Sequence, residues 1–363
     1  MEMIKYAAKD CYSCIQQTTM VVLQKMNDLL QIDQSQTSNE DCESLAEQQS
    51  LLCGTLASVL PKFDRSDALA ISDQIMTLML ILFDRIQSSQ VMQYSGVQEE
   101  ALLVVSALVS SIGPGFGKYL EHFFRILISS LKKVTEKDIC CNATGLVGDL
   151  VRNVTADILP FMEEIINVLF DTLRVCFCFN VPIRYHVIQN PTTQRSLLPH
   201  IINVFGDCAM SLGDSFIPYH VHVVETLKQA CQAEVDLNDR DMVDYLNLLR
   251  QSCIDTFVSI IQGAGEQAPG TNMGKLQYVV PHMGFIVNFI EHVGSQSFST
   301  EDLIGSCCGL VGDIVTCFGK ESLQLLDTDG IRSLLAKGKS SKKANTKKYA
   351  LWASKQLSKL RKM

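Results

Sequence analysis

Cys11-x-x-Cys14 and Cys176-x-Cys178 have the spacing with which thiolates grip a soft metal or exchange a disulfide. A structural zinc site needs four ligands, and no second pair stands at a suitable distance, so neither metal nor cofactor is expected. His122, His186, His200, His220, His222, His282 and His292 are scattered and read as solvated or core-edge residues. No Gly-rich phosphate loop, HExxH or recognisable Ser/His/Asp context accompanies them, so enzymatic chemistry is not expected. What recurs is a carboxylate beside glycine. Gly145-Leu146-Val147-Gly148-Asp149-Leu150-Val151 returns as Gly309-Leu310-Val311-Gly312-Asp313-Ile314-Val315, with a looser copy at Val204-Phe205-Gly206-Asp207-Cys208-Ala209.

Carboxylates on a solvated face attract cations, and their number here is lopsided. From Arg332 to Met363 there are 11 Lys or Arg and no acid, which leaves 20 basic against 39 acidic residues elsewhere, a balance of −19. Such a body repels nucleic acid and attracts basic partners. The basic tail suits nucleic acid or an acidic surface, or is simply a solvated terminal helix. Glu234, Asp236, Asp239, Asp241 and Asp244 cluster before and within one helix, matching a Lys/Arg-rich peptide. Their alternative role, shared by Glu99, Glu100, Glu301 and Asp302, is at helix N-termini, which carboxylates favour. Asp149, Asp207 and Asp313 either accept hydrogen bonds from the next repeat or face a partner; close helix approach would explain Gly145 and Gly148.

The elements that must position these acids are helices. Apolar residues recur at i, i+3, i+4 and i+7, as in Leu120, Phe123, Phe124, Leu127, Ile128 and Leu131. Residues 3–31 predict one helix or two broken near Cys11, and 34–47 a polar loop. Helices are expected over 51–60, 67–87, 97–112, 119–134, 138–154, 156–173, 194–212, 216–233, 242–262, 276–293 and 300–318, with a short one near 321–326 and a last one over 345–361. No apolar run approaches the roughly 20 residues that span a bilayer, and no secretion signal is visible. The 14 cysteines therefore read as reduced, small core residues.

Aligning alternate helices on the repeated Asp gives a ladder of Thr55, Ala107, Asp149, Asp207, Asp255 and Asp313, with gaps of 52, 42, 58, 48 and 58 residues. HEAT and armadillo repeats run about 40–47 residues. The fold expected over residues 1–363 is an all-α, HEAT-repeat, right-handed superhelical solenoid of about seven to eight helix pairs, capped by the basic segment 332–363. Pro160, Pro218 and Pro281 suit the start or bend of the first helix in a pair.

Several runs resemble the C-terminal half of the importin-beta family, the karyopherin nuclear import receptors. They are Ala8 to Tyr12, Gln49 to Cys53, Asp67-Ala68-Leu69 with Ile71-Ser72-Asp73, Gly96 to Glu99, Gly145 to Leu150 and Val204 to Asp207. The most specific are Asp241-Met242-Val243-Asp244-Tyr245-Leu246-Asn247 and Trp352-Ala353-Ser354-Lys355. The resemblance implies a solenoid that wraps the basic segment of an importin-alpha adaptor, or a cargo's nuclear localisation signal. It also implies contact with Phe-Gly nucleoporins through slots between outer helices, and residence in cytoplasm, nucleus and nuclear pore, without membrane insertion. Trp352 matches the family's terminal-helix tryptophan, where stacking on a partner's cation competes with burial. A structural HEAT scaffold is the alternative.

Two departures are expected. The chain begins inside a repeat, and the family's other half carries the main Ran-GTP site, so Ran-driven release is in doubt for this chain. Val175 to Gln189 has no counterpart in the family; removing it restores a short turn and cuts the gap of 58 residues to 43. Its boundaries suit a retained in-frame intron or a lineage-specific loop.

Overall fold

The computed structural model describes residues 12–32, 39–88, 96–177, 192–265 and 277–362, and among them finds helices and turns but no strand. The helices are α1 (Tyr12–Leu30), α2 (Asn39–Val59), α3 (Arg65–Ser88), α4 (Val97–Ile112), α5 (Leu120–Leu131), α6 (Lys137–Asn153) and α7 (Met162–Phe177). They continue as α8 (Thr192–Leu212), α9 (Ile217–Cys231), α10 (Arg240–Gly265), α11 (Met283–Ser295), α12 (Glu301–Phe318), α13 (Asp329–Lys339) and α14 (Ala344–Leu360). Short helical turns join several of them. The chain divides into two compact units, Met1–Thr172 and Leu173–Met363.

Within each unit alternate helices form one layer. In the first unit α2, α4 and α6 stack on one another, and α1 and α3 pack outside them. In the second, α8, α10, α12 and α14 form the stack, with α11 and α13 alongside. This alternation of helix pairs is the α-α stacking of a HEAT-repeat solenoid.

The local chemistry explains the repeat. α5 has only 12 residues, too few to be stable alone. Leu120, Phe123, Leu127, Ile128 and Leu131 are buried on one face, each contributing about 1.5–3 kcal/mol, while Glu121 and Arg125 point outward. Phe123 meets the rings of Phe83 and Phe116 at 5.8 and 6.4 Å. At the ends of α4, α8 and α12, Gly113, Gly213 and Gly319 adopt φ of 55°, 52° and 54°, a region that penalises any side chain. The chain reverses there into a short helical turn leading to the next helix. Proline opens several such turns (Pro61, Pro114, Pro160, Pro281), where its missing N–H leaves no bond unmade.

Three expectations need correction. The polar stretch before Leu51 is helical from Asn39 onward. A helix not expected from the sequence, α13, occupies Asp329–Lys339; it has one narrow apolar face of Ile331, Leu334 and Leu335. Three segments, Arg65–Ser88, Val97–Leu131 and Glu301–Leu326, are long and apolar enough by composition to cross a membrane. The second of these is two helices divided by Gly113-Pro114-Gly115, and all three segments bury an apolar face against neighbouring helices. The insert expected at 175–189 lies outside the described residues beyond Phe177, where α7 ends.

Candidate partner-binding cleft

Residues three, four and seven apart share one face of a helix. On α10 that rule aligns Asp255, Val258 and Gln262; on α12 it aligns Ser306, Gly309 and Asp313. Because α10, α12 and α14 are successive members of one stack, these rows meet Lys348, Tyr349 and Trp352 of α14. Together they line a cleft of about 540 Å³.

The repeated glycine motif divides its labour here. A Cβ added to Gly309 would meet nothing within 4 Å, so this glycine leaves the cleft floor open. At Gly312 the same Cβ would lie 2.0 Å from Trp352 Cζ3, so the indole is seated directly on the helix backbone. Gly206, the same position on α8, is likewise closed off, with Thr256 and Ser259 of α10 at 3.2 and 3.3 Å. Gly145 has nothing within 4 Å, so close helix approach does not explain it; it corresponds to Gly309.

Asp313 accepts a hydrogen bond from Gln262 Nε2 at 3.2 Å, and Asp255 from Gln251 Nε2 at 2.9 Å. Gln251 Nε2 also reaches Ser306 Oγ at 2.5 Å. Surrounding protein desolvates both carboxyls and pushes them above the ordinary aspartate range, against the pull of these hydrogen bonds. A cation would relieve that penalty. Two carboxylates beside a half-buried indole and an exposed tyrosine offer the groups that a lysine or arginine side chain would complement. Lys348 stands on the rim as a rival for the same acids.

Of the residues expected to meet a partner, Asp313 and Trp352 converge in this cleft, joined by Asp255 from the ladder. Gln262, Ser306, Lys348 and Tyr349 had no individual signal; the i, i+3, i+7 rows are the pattern that finds them. Asp207 lies half-buried on α8, beside the packed Gly206. Asp236 Oδ1 accepts from Asn238, and Asp239 Oδ1 from the amides of Asp241 and Met242, so both serve the turn into α10. Glu234, Asp241 and Asp244 are exposed nearby. Glu301 and Asp302 are engaged by Ser341 and Lys343 of the α13–α14 turn.

The first unit holds the other acids. Asp149 of α6 accepts from Ser106 of α4, the preceding rather than the next rung, and pairs with Arg152 at 2.6 Å. Glu99 and Glu100 open α4; burial, then Asp138, Glu100 and Glu136, raise the Glu99 carboxyl above its ordinary range. Between the outer helices α1 and α3 is a slot of about 260 Å³ lined by Gln16, Thr19, Met20, Phe63, Asp67, Ala70 and Ile71. Met20 is 54% exposed on it. Tyr12 and Gln16 donate to Asp67 Oδ2 at 2.6 and 3.0 Å.

Among the described residues no three His, Cys, Asp or Glu converge on a metal position. Cys11, Cys176 and Cys178 lie outside the described side chains. His220 is buried, and His292 Nε2 faces the buried Arg250 at 3.3 Å.

A family model described as importin subunit beta-1-like, TPR repeats, matches residues 1–339. Importin subunit beta-1 of Saccharomyces cerevisiae is 26% identical over 98% of the chain, and that of Arabidopsis thaliana 25% over 97%. The chain spans 38% of the length of each. Among solved structures, a crystal form of importin beta aligns over 98% of the chain and 40% of its own, with TM-score 0.84 and 24% identity, a likeness of fold. The complex of Kap95 with Nup1 aligns over 99% of the chain and 39% of its own, with TM-score 0.79 and 25% identity.

Proposed function

We propose that this chain, which belongs to the importin subunit beta-1-like family, is the part of a nuclear import receptor that holds a basic segment, from an importin-alpha adaptor or from cargo itself. The family is not one of enzymes. The observation that carries the reading is the cleft between α10, α12 and α14, where Asp255 and Asp313 stand beside the half-buried face of Trp352. The balance of −19 outside the basic tail adds long-range attraction for the same partner. In this reading the protein moves between cytoplasm and nucleus through the pore.

Titration calorimetry with a Lys/Arg-rich adaptor peptide tests it. Binding is expected at low salt, weakening as salt rises, and weakening further in the Asp255→Asn, Asp313→Asn double variant. A chain that binds no basic peptide favours the scaffold alternative.

A second reading adds to the first. The apolar slot between α1 and α3 suits a phenylalanine side chain, and one structural neighbour is a complex with Nup1. We infer a Phe-Gly nucleoporin contact there, which Met20→Glu should weaken. Another neighbour's title names RanGDP. The chain covers 39% of that structure.

A further inference from the structure

The end of α13 and the turn into α14 read Lys337-Gly338-Lys339-Ser340-Ser341-Lys342-Lys343, with no acid near in sequence. It is latched onto the start of α12. Ser341 Oγ donates to Glu301 Oε2 at 2.5 Å, and the amide of Lys343 divides itself between Glu301 Oε2 and Ser341 Oγ, both at 3.1 Å. Lys343 Nζ pairs with Asp302. The chain's own basic segment therefore sits on two acids that would otherwise face solvent.

We propose that Ser341 is a phosphorylation site for a protein kinase that prefers basic flanks, and that the phosphate unlatches this turn from α12. Lys337 and Lys339 precede the serine and Lys342 and Lys343 follow it, the flanking charge such a kinase reads. Ser340 is the poorer acceptor: it keeps helical backbone angles, its amide bonds Ala336 O, and its hydroxyl caps Lys337 O at 2.9 Å. Ser341 follows the helix end half-buried, with its amide on Gly338 O at 3.2 Å, while its hydroxyl is the group that ties the turn to α12, donating to Glu301 and accepting from the Lys343 amide.

In the transfer, the γ-phosphoryl group of ATP passes to Ser341 Oγ. The bond to ADP breaks, the Oγ–P bond forms and the hydroxyl proton leaves to solvent. The donor that held Glu301 is gone. A group of about −1.5 to −2 charge now faces that carboxylate, and it competes with Asp302 for Lys343. Repulsion at one contact and substitution at the other both open the latch.

The test treats the full chain with several basic-directed kinases and Mg-ATP, maps phosphate by mass spectrometry, and follows hydrogen exchange over residues 340–347. Phosphate on Ser341 is expected, absent in Ser341→Ala and retained in Ser340→Ala, with amide protection at Lys343 falling at least tenfold. Glu301→Gln keeps an acceptor without the charge, and phosphorylation should loosen its turn less. Modification confined to Ser340, none at all, or phosphate on Ser341 with unchanged protection each overturns the proposal. A further consequence rests on the cleft reading: the added charge, at Glu301, lies roughly 12 Å along α12 from Gly309. It should tighten a basic peptide about twofold at 10 mM ionic strength and not measurably at 0.15 M. A chain that never binds the peptide counts against the cleft, while the exchange result still judges the latch.

Discussion

Two glycines three residues apart on α12 should respond to the same substitution with opposite sign. At Gly312 an added Cβ falls 2.0, 2.4 and 2.5 Å from Trp352 Cζ3, Cε3 and Cη2. Comfortable carbon contacts lie near 3.5–4.0 Å, so the rigid indole or the helix must move by about 1.5 Å. Overpacking of this kind costs about 1–3 kcal/mol, against a gain of about 1 kcal/mol in helix propensity. Gly312→Ala should therefore destabilise the last helix pairs by up to about 2 kcal/mol. At Gly309 nothing lies within 4 Å, so only the propensity gain of about 1 kcal/mol remains. Urea unfolding can be followed by helical circular dichroism and by Trp352, the chain's one tryptophan. The predicted order of midpoints is Gly309→Ala, wild type, Gly312→Ala. Shrinking the ring with Trp352→Leu should relieve part of the Gly312→Ala penalty, a coupling that a double-mutant cycle reads by circular dichroism. Midpoints moving the same way for both glycines, or additive Gly312 and Trp352 effects, would refute the account of the motif.

Three further outcomes follow from particular contacts. Asp149→Ala removes the acceptor of Ser106 and Arg152 and should cost about 1–2 kcal/mol in the first unit's unfolding, with Asp149→Asn losing less. Thr300 caps α12 by accepting from the Leu303 amide at 3.3 Å; Thr300→Ala should lower the unfolding free energy by about 1 kcal/mol, read in a urea titration. Asp255 and Asp313 titrate above their ordinary value of 3.8, so the folded state holds their protons more tightly than the unfolded chain. Their contribution to stability is fully present below that value and declines as pH rises through the raised pKa values. Basic-peptide affinity should rise over the same interval as the carboxyls ionise. Subtracting the Asp255→Asn, Asp313→Asn profile isolates both trends, and identical profiles would contradict the assignment.

The sequence made the stacked helices legible because their apolar period is strong: Val97–Ile112 matches α4 at both ends. It hid α13, whose three buried large residues are flanked by Gly330 and Gly338 and read as loop. Gly338 is there because Cys308 Sγ and Ala350 Cβ would both lie 2.8 Å from a Cβ at that position, a packing fact with no sequence signature. The start of α2 was lost for a similar reason, since Asn39 to Ser50 offers few apolar residues to set a period. Of the site, the ladder located Asp313 and Asp255 and the terminal helix supplied Trp352. Their convergence depends on which helices are neighbours in the stack. Local sequence could not separate an aspartate that braces a rung, such as Asp149, from one that lines a cleft. Nor could it show that Glu301 and Asp302 meet the chain's own lysine turn.

The most direct test of the cleft is the emission of Trp352 during titration with a Lys/Arg-rich adaptor peptide. The account predicts a saturable change in that emission, with affinity that falls as salt rises. Asp255→Asn with Asp313→Asn should weaken the affinity, while Asp149→Asn should leave it unchanged. Binding of equal strength in all three proteins, with Trp352 emission unmoved, would contradict it.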